Sequence, residues 1–348
     1  MYPRLIISPY IREPSMHRFT LAVLLALHSP LFAANTESYK VIGPITQHFQ
    51  DWLARNGYKD DFVRADNAGT QGSYGGKTDD SQKVTKTPVI FIHGNSDAAL
   101  RQGFGRNDNI GWENTIDYFL KHGYTSAELY ATSWGDTNPA HASSRTHDCA
   151  TTQRLRRFLE AVIAYTGADQ VSMVTHSMGV TLGRKIIKGG KITANDGNCD
   201  LGVPIRVVDV FVGLSGGNYG LCNCEGVDTM EPTCNKQDGL WPGDSCGMNY
   251  LDCGLTVLPF PCSGPTYSKF LTDLNNDMQQ EAKRLVSGWS DSDDLIMYGT
   301  ITWGKSTCLI PRNLRDVHTY GDEGTHVRGS IQLGEQNQLI DTYPHFSS

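Results

Sequence analysis

Between residues 87 and 220 short apolar runs and amphipathic repeats take turns along the chain. Residues 87–94 (TPVIFIHG) form a wholly apolar run that closes on a turn signal, the pattern of a strand buried on both faces. Trp112, Ile116, Phe119 and Leu120 then fall at helical spacing ahead of His122-Gly123, a helix end. Residues 128–133 (ELYATS) predict a second strand. Leu155, Phe158, Leu159 and Val162 repeat at i, i+3, i+4 and i+7 and predict a helix ending near Gly167. Residues 171–175 predict a third strand, followed at once by a helix over 178–188, and the valine-rich residues 207–214 a fourth strand. Farther on, 267–274 reads as helical, 295–303 and 317–320 as extended, and 331–343 as helical. Strands alternating with helices imply an α/β domain: a mostly parallel sheet, right-handed crossovers, helices on both faces. Such sheets bind ligands at the carboxyl ends of their strands.

Three stretches break this rhythm. Residues 19–34 (FTLAVLLALHSPLFAA) are apolar, preceded by Arg12, His17 and Arg18 and closed by Ala33 and Ala34. Charged start, apolar middle and small-residue end are the order of a secretory signal peptide, so residues 1–34 are expected to be removed, with Met16 a more ordinary start than Met1. The run is too short and too interrupted, by His28 and Pro30, for a stable membrane span. Residues 35–86 are polar and glycine-rich, with GTQGSYGG at their centre, and are expected as a surface arm or edge hairpin ahead of the domain, 87–348. Residues 221–265 have no regular period and hold six of the chain's nine cysteines, a lid-like insertion. Crowded cysteines without a complete CxxC or histidine partner set read as disulfides in an oxidising compartment, in keeping with secretion. Nine is odd, so at least one thiol is free or pairs between chains. A formal net charge of −7 argues against a nucleic-acid partner, which needs a basic face.

The segment Val174-Thr175-His176-Ser177-Met178-Gly179-Val180 joins a predicted strand directly to a predicted helix. A serine on such a turn projects above the sheet edge, and the helix amino end supplies N–H groups and positive dipole where an oxyanion forms. Ser177 is the candidate nucleophile; a plain helix N-cap serine is the alternative. Thr175 replaces the first glycine of the G-x-S-x-G pattern and crowds the turn. Upstream, His93-Gly94-Asn95 ends the first strand, and the backbone N–H groups of Asn95 and Met178 are the candidate oxyanion donors. His93 itself reads as a buried histidine that shapes the loop. The base that serine chemistry needs is expected after the last strand, where His326 sits in a glycine-bounded loop; His318 lies within the strand.

Residues 86–99 (KTPVIFIHGNSDAA), 164–180 (AYTGADQVSMVTHSMGV) and 211–220 (FVGLSGGNYG) resemble the class 2 lipases, secreted hydrolases of the α/β-hydrolase fold. The first two also resemble one type of extracellular poly(3-hydroxybutyrate) depolymerase. The resemblance implies Ser177 as nucleophile, His326 as base, Asn95 and Met178 as oxyanion donors, and no cofactor or metal. A carboxylate should fix the histidine tautomer. With 295–303 as the preceding strand, Thr307 stands where the family's aspartate is expected. Asp322, just before His326, is the leading substitute, ahead of Glu323, Asp293 and Asp294. The expected function is a secreted serine ester hydrolase acting on a lipid or polyester. A non-catalytic surface protein that kept the fold is the rival from another class.

Overall fold

The computed structural model describes residues 40–58, 62–67, 69–102, 111–243, 253, 265–296, 300–313 and 315–320. All of these lie in one unit that spans Glu37–Ser348. The expected signal peptide, the helix over 331–343, His326, Asp322 and Glu323 lie outside the described residues.

The first strands and helices confirm the alternation read from the sequence. β1 (Ser73–Tyr74), β2 (Val89–Ile92) and β3 (Leu129–Thr132) flank α2 (Glu113–Lys121). α3 (Cys149–Thr166) leads to β4 (Val171–His176), α4 (Met178–Lys188) and the excursion β5 (Lys191–Ala194) and β6 (Gly197–Asp200). β7 (Val208–Leu214), α5 (Lys269–Asn276), β8 (Arg284–Ser290), the small hairpin β9 (Ile301–Thr302) and β10 (Lys305–Ser306), and β11 (Val317–Tyr320) complete the described elements. Among the described residues one seven-stranded sheet runs β1-β3-β2-β4-β7-β8-β11, parallel except where β1 meets β3. α3 ends where Gly167 takes φ 62°, a left-handed cap open to glycine without penalty.

The period-two alternation of the strands divides the core into two layers. Val89 and Phe91 of β2, with Leu129, Val174, Val210 and Val212, pack under Trp112, Ile116 and Phe119 of the α2 region. Ile90 and Ile92, with Met173 and Phe211, pack against α3 and α4 through Phe158, Leu159, Val180 and Leu182. Because both faces are covered, β2 has no polar positions to show, and its sequence is continuously apolar.

Two expectations are revised. Residues 40–86 are not an appended arm. α1 (Gln47–Arg55), capped by the Thr46 hydroxyl, buries Phe49 and Leu53 in the same layer as α3. β1 pairs antiparallel with β3 at the sheet edge. The glycines there serve close approach: a Cβ on Gly75, at φ 114°, would lie 2.0 Å from the Leu129 carbonyl oxygen. The second revision concerns the strand expected at 295–303. The sheet strand is β8, at Arg284–Ser290, and among the described residues 295–303 contributes β9 alone. The sequence RLVSGWS hides a strand because Ser287 and Gly288 interrupt its apolar run. Ser287 is nevertheless buried and accepts from Ile310 N–H at 3.1 Å and Asn313 Nδ2 at 3.0 Å.

The described part of the cysteine-rich segment, 221–243 with Cys253, holds short 3-10 turns at Cys222–Cys224 and Pro232–Cys234. Disulfides Cys224–Cys234 and Cys222–Cys253 staple it, and Cys149–Cys199 ties α3 to β6. Cys308 is a free thiol, fully buried.

Candidate active site

β4 ends at His176, α4 starts at Met178, and Ser177 makes the whole turn between them. Its backbone sits at φ 52° and ψ −128°, a conformation that costs a non-glycine residue about 1–3 kcal/mol. Ser177 N–H donates to the Leu214 carbonyl at 2.8 Å, which ties the strained turn to β7. Ser177 occupies the N-cap position of α4, but its side chain makes no capping bond to that helix.

Small residues let the turn form. A Cβ on Gly179 would lie 2.4 Å from the His93 oxygen and 2.6 Å from the Ile92 oxygen, so only glycine lets α4 start so close to β2. Thr175 fits where the usual pattern has glycine because its methyl faces Gly183 of α4 and its hydroxyl donates to the Val212 carbonyl at 2.8 Å. Gly94 passes directly over Ser177: a Cβ there would meet the Ser177 Cβ at 2.8 Å and His176 Nδ1 at 3.0 Å. The chain end of β2 and the turn after β4 are therefore in contact. Ser177, Asn95 and Met178 are brought together at the carboxyl edge of the sheet. Met178, as the first residue of α4, has an N–H with no acceptor inside its own helix.

His93 shapes this loop, as expected. Its Nδ1–H donates to the Gly94 carbonyl at 2.7 Å, its Nε2 accepts from Trp134 N–H at 2.9 Å, and its carbonyl accepts from the Trp134 indole at 2.9 Å. The ring stacks on Trp134 at 5.2 Å between centroids. Burial pulls its pKa down from 6.5 to about 3, so the ring is neutral and both nitrogens have fixed roles.

The acidic candidates separate sharply. Thr307 is fully buried, donating from its hydroxyl to the Gly220 carbonyl at 2.7 Å and accepting from Tyr219 N–H at 2.9 Å. It wedges the segment after β7 against the β10 segment, and the strand it follows, β10, pairs with β9 outside the seven-stranded sheet. The loop that leaves the carboxyl end of β8 is instead Asp291-Ser292-Asp293-Asp294. Asp291 and Asp294 are exposed, but Asp293 is only 3% exposed. Its Oδ1 accepts from the N–H groups of Leu295 at 3.0 Å and Ile296 at 2.7 Å. Its Oδ2 is buried and makes no hydrogen bond of full geometry among the described residues, with only the Ser215 hydroxyl beside the carboxylate. Burial pushes the carboxyl up to about 6, against the pull of those two amides. Locating Asp293 needed the position of β8, which periodicity had hidden.

β11 runs parallel to β8 and is described to Tyr320, so the chain leaves it at the same edge that carries Ser177. His318 lies inside β11, opposite Gly288, and not at that edge. Among the described residues no group of three His, Cys, Asp or Glu side chains is arranged to hold a metal.

The family model of class 2 lipases matches residues 86–328. No curated protein matches the sequence. Solved structures with a similar fold include an α/β-hydrolase enzyme from the metagenome of lagoon sediments at Mar Chica, Morocco. It is 16% identical, covers 75% of this chain and 92% of its own, and gives a TM-score of 0.39. Lipase B of Aspergillus fumigatus is 12% identical over 71% of this chain and 48% of its own, TM-score 0.39. An esterase of Pyrococcus furiosus is 13% identical over 75% of this chain and 81% of its own, TM-score 0.39. With the sheet order, the turn after β4 and a family match over 86–328 in place, the chain belongs to the class 2 lipase family of α/β-hydrolases.

Proposed function

We propose that this protein is a secreted serine ester hydrolase that cleaves apolar carboxylic esters through an acyl-serine intermediate. The observation that carries the reading is Ser177, held at positive φ between β4 and α4 with the Gly94 backbone packed on its Cβ. In this reading Ser177 Oγ attacks the ester carbonyl while His326 takes its proton. The oxyanion of the tetrahedral intermediate accepts from the N–H groups of Asn95 and Met178. Collapse breaks the ester bond, His326 returns the proton to the leaving alcohol, and water then releases the acid from the acyl-serine by the same two steps.

Asp293 is our choice for the carboxylate that orients His326, in place of Asp322. One of its oxygens is pinned by two backbone amides and the other is buried with no well-formed hydrogen bond beyond the neighbouring Ser215 hydroxyl, which suits a group that takes an imidazole N–H. The same assignment removes the main argument for a non-catalytic surface protein, the threonine at 307. Three disulfides favour an oxidising, extracellular setting, and no helix of the described residues is long and apolar enough to cross a membrane.

A fluorophosphonate probe tests the mechanism: wild type is expected to label and Ser177→Ala is not. An unlabelled wild type overturns the reading. Clearing assays on tributyrin, olive oil and hydroxybutyrate polymer then assign the substrate to short ester, lipid or polyester.

A further inference from the structure

The loop that would donate to the oxyanion is held from outside the sheet by a cation. Arg145 follows the 3-10 turn Pro139–Ser144 and is 8% exposed. Its Nη1 donates to Asn95 Oδ1 at 2.9 Å and to Ser96 Oγ at 2.5 Å. Its Nη2 donates to an Asp136 carboxylate oxygen and, at 2.8 Å, to the Asn138 carbonyl. The other end of the Asn95 amide, Nδ2, donates to the Ala142 carbonyl at 2.9 Å. Both ends of that side chain are therefore fastened to one segment, 136–145. Ser96 follows at φ 68°, so the backbone turns back immediately after Asn95. Room is made for the guanidinium: a Cβ on Gly135 would lie 2.8 Å from Arg145 Nε.

We propose that Arg145 is a positioning residue for ester hydrolysis. It fixes the Asn95 side chain and thereby aims the Asn95 N–H at the place above Ser177 where negative charge develops. The inference deepens the serine ester hydrolase reading and rests on it. Among the described residues the side-chain hydrogen bonds of Arg145 reach two places, the Asn95-Ser96 loop and the turn at 136–138. A planar fork can hold both at once, and a lysine, with one compact ammonium on a flexible stem, cannot. An oxyanion donor works only when aimed in advance, because it then needs no reorganisation as charge develops.

The experiment uses the full-length secreted protein with Arg145→Met, Arg145→Lys, Arg145→Ala and Asn95→Ala. Each variant is first checked for a wild-type circular dichroism spectrum and thermal midpoint, then assayed on p-nitrophenyl butyrate. Deleting an oxyanion donor outright costs about 10²–10³ in kcat, so loosening one should cost about 10- to 100-fold, with KM changed less than twofold. Methylguanidinium should restore part of the kcat of Arg145→Ala, a readout that a purely structural role would not move. Asn95→Ala combined with Arg145→Met should lose no more than either alone, since both break one link. A folded Arg145→Met with wild-type kcat overturns the proposal. So does a loss that tracks the thermal midpoint with no rescue. In both cases fluorophosphonate labelling of wild type leaves the hydrolase reading standing. An unlabelled wild type overturns that reading and this proposal together.

Discussion

Gly94→Ala is the sharpest test of the contact between the two halves of the site. The added methyl carbon would sit 2.8 Å from the Ser177 Cβ and 3.0 Å from His176 Nδ1. Ordinary carbon contacts are about 3.5–4.0 Å, so something must yield by about 0.7 Å. Neither neighbour is the loose end of a flexible side chain: the Ser177 Cβ hangs on a strained turn anchored to Leu214, and His176 is 4% exposed. That leaves the 94–95 loop to be lifted, against the hold of Arg145 on Asn95 and Ser96. A donor that starts at the usual distance of about 2.7–3.1 Å from an oxyanion then leaves hydrogen-bond range. A misplacement of this size costs on the order of 10² in turnover, or about 2.7 kcal/mol. Overpacking should cost about 1–3 kcal/mol of stability besides. Urea unfolding and steady-state kinetics on p-nitrophenyl butyrate separate the two, with kcat falling about 100-fold at little change in KM. A folded Gly94→Ala enzyme whose kcat stays within threefold of wild type would refute the argument that this loop is fixed against Ser177 and supplies a donor.

Asp293→Asn should lower kcat by about 10⁴, the cost of losing the acid that orients a catalytic histidine, while Asp322→Asn should stay within threefold; the reverse ranking in the same assay returns the acid to position 322. Ser177→Gly should abolish turnover yet raise unfolding stability by about 1 kcal/mol, since glycine accepts the φ of 52° without strain; an unchanged or lower value in urea unfolding contradicts a strained turn. Acid should unfold the protein partly through two buried rings, since desolvation depresses His93 to about 3 and His147 to about 4. The unfolded chain binds these protons below about pH 6.5 and the folded chain does not, so stability is complete above that pH and is lost on acidification. Each ring contributes up to about 1.4 kcal/mol per pH unit, and a flat stability profile between pH 6.5 and 4.5 would exclude both.

β2 and α4, both read accurately from the sequence, are buried at every position. β2 is covered on both faces, so its run of apolar residues admits one interpretation, and α4 and β11 match the expected 178–188 and 317–320. Residues 40–86 misled because the one short apolar period there, Phe49, Trp52 and Leu53 of α1, sits among polar residues, while Gly75 marks a close approach to β3 and not a free arm. β8 misled for a different reason. Ser287 and Gly288 satisfy contacts from neighbouring segments, and their polarity outweighs the apolar positions beside them.

What the sequence determined by itself was local chemistry: a serine between an apolar strand and a helix, a His-Gly turn at the end of another strand, and an alternation that requires a parallel sheet. Those signals depend on residues near one another in the chain, where backbone geometry and side-chain size act directly. Only the tertiary structure decided that Gly94 rests on Ser177, that Asp293 follows the strand beside β11, and that Arg145 grips Asn95 from fifty positions away. Such pairings are set by how strands register and how loops cross the sheet edge, and no spacing along the chain encodes them.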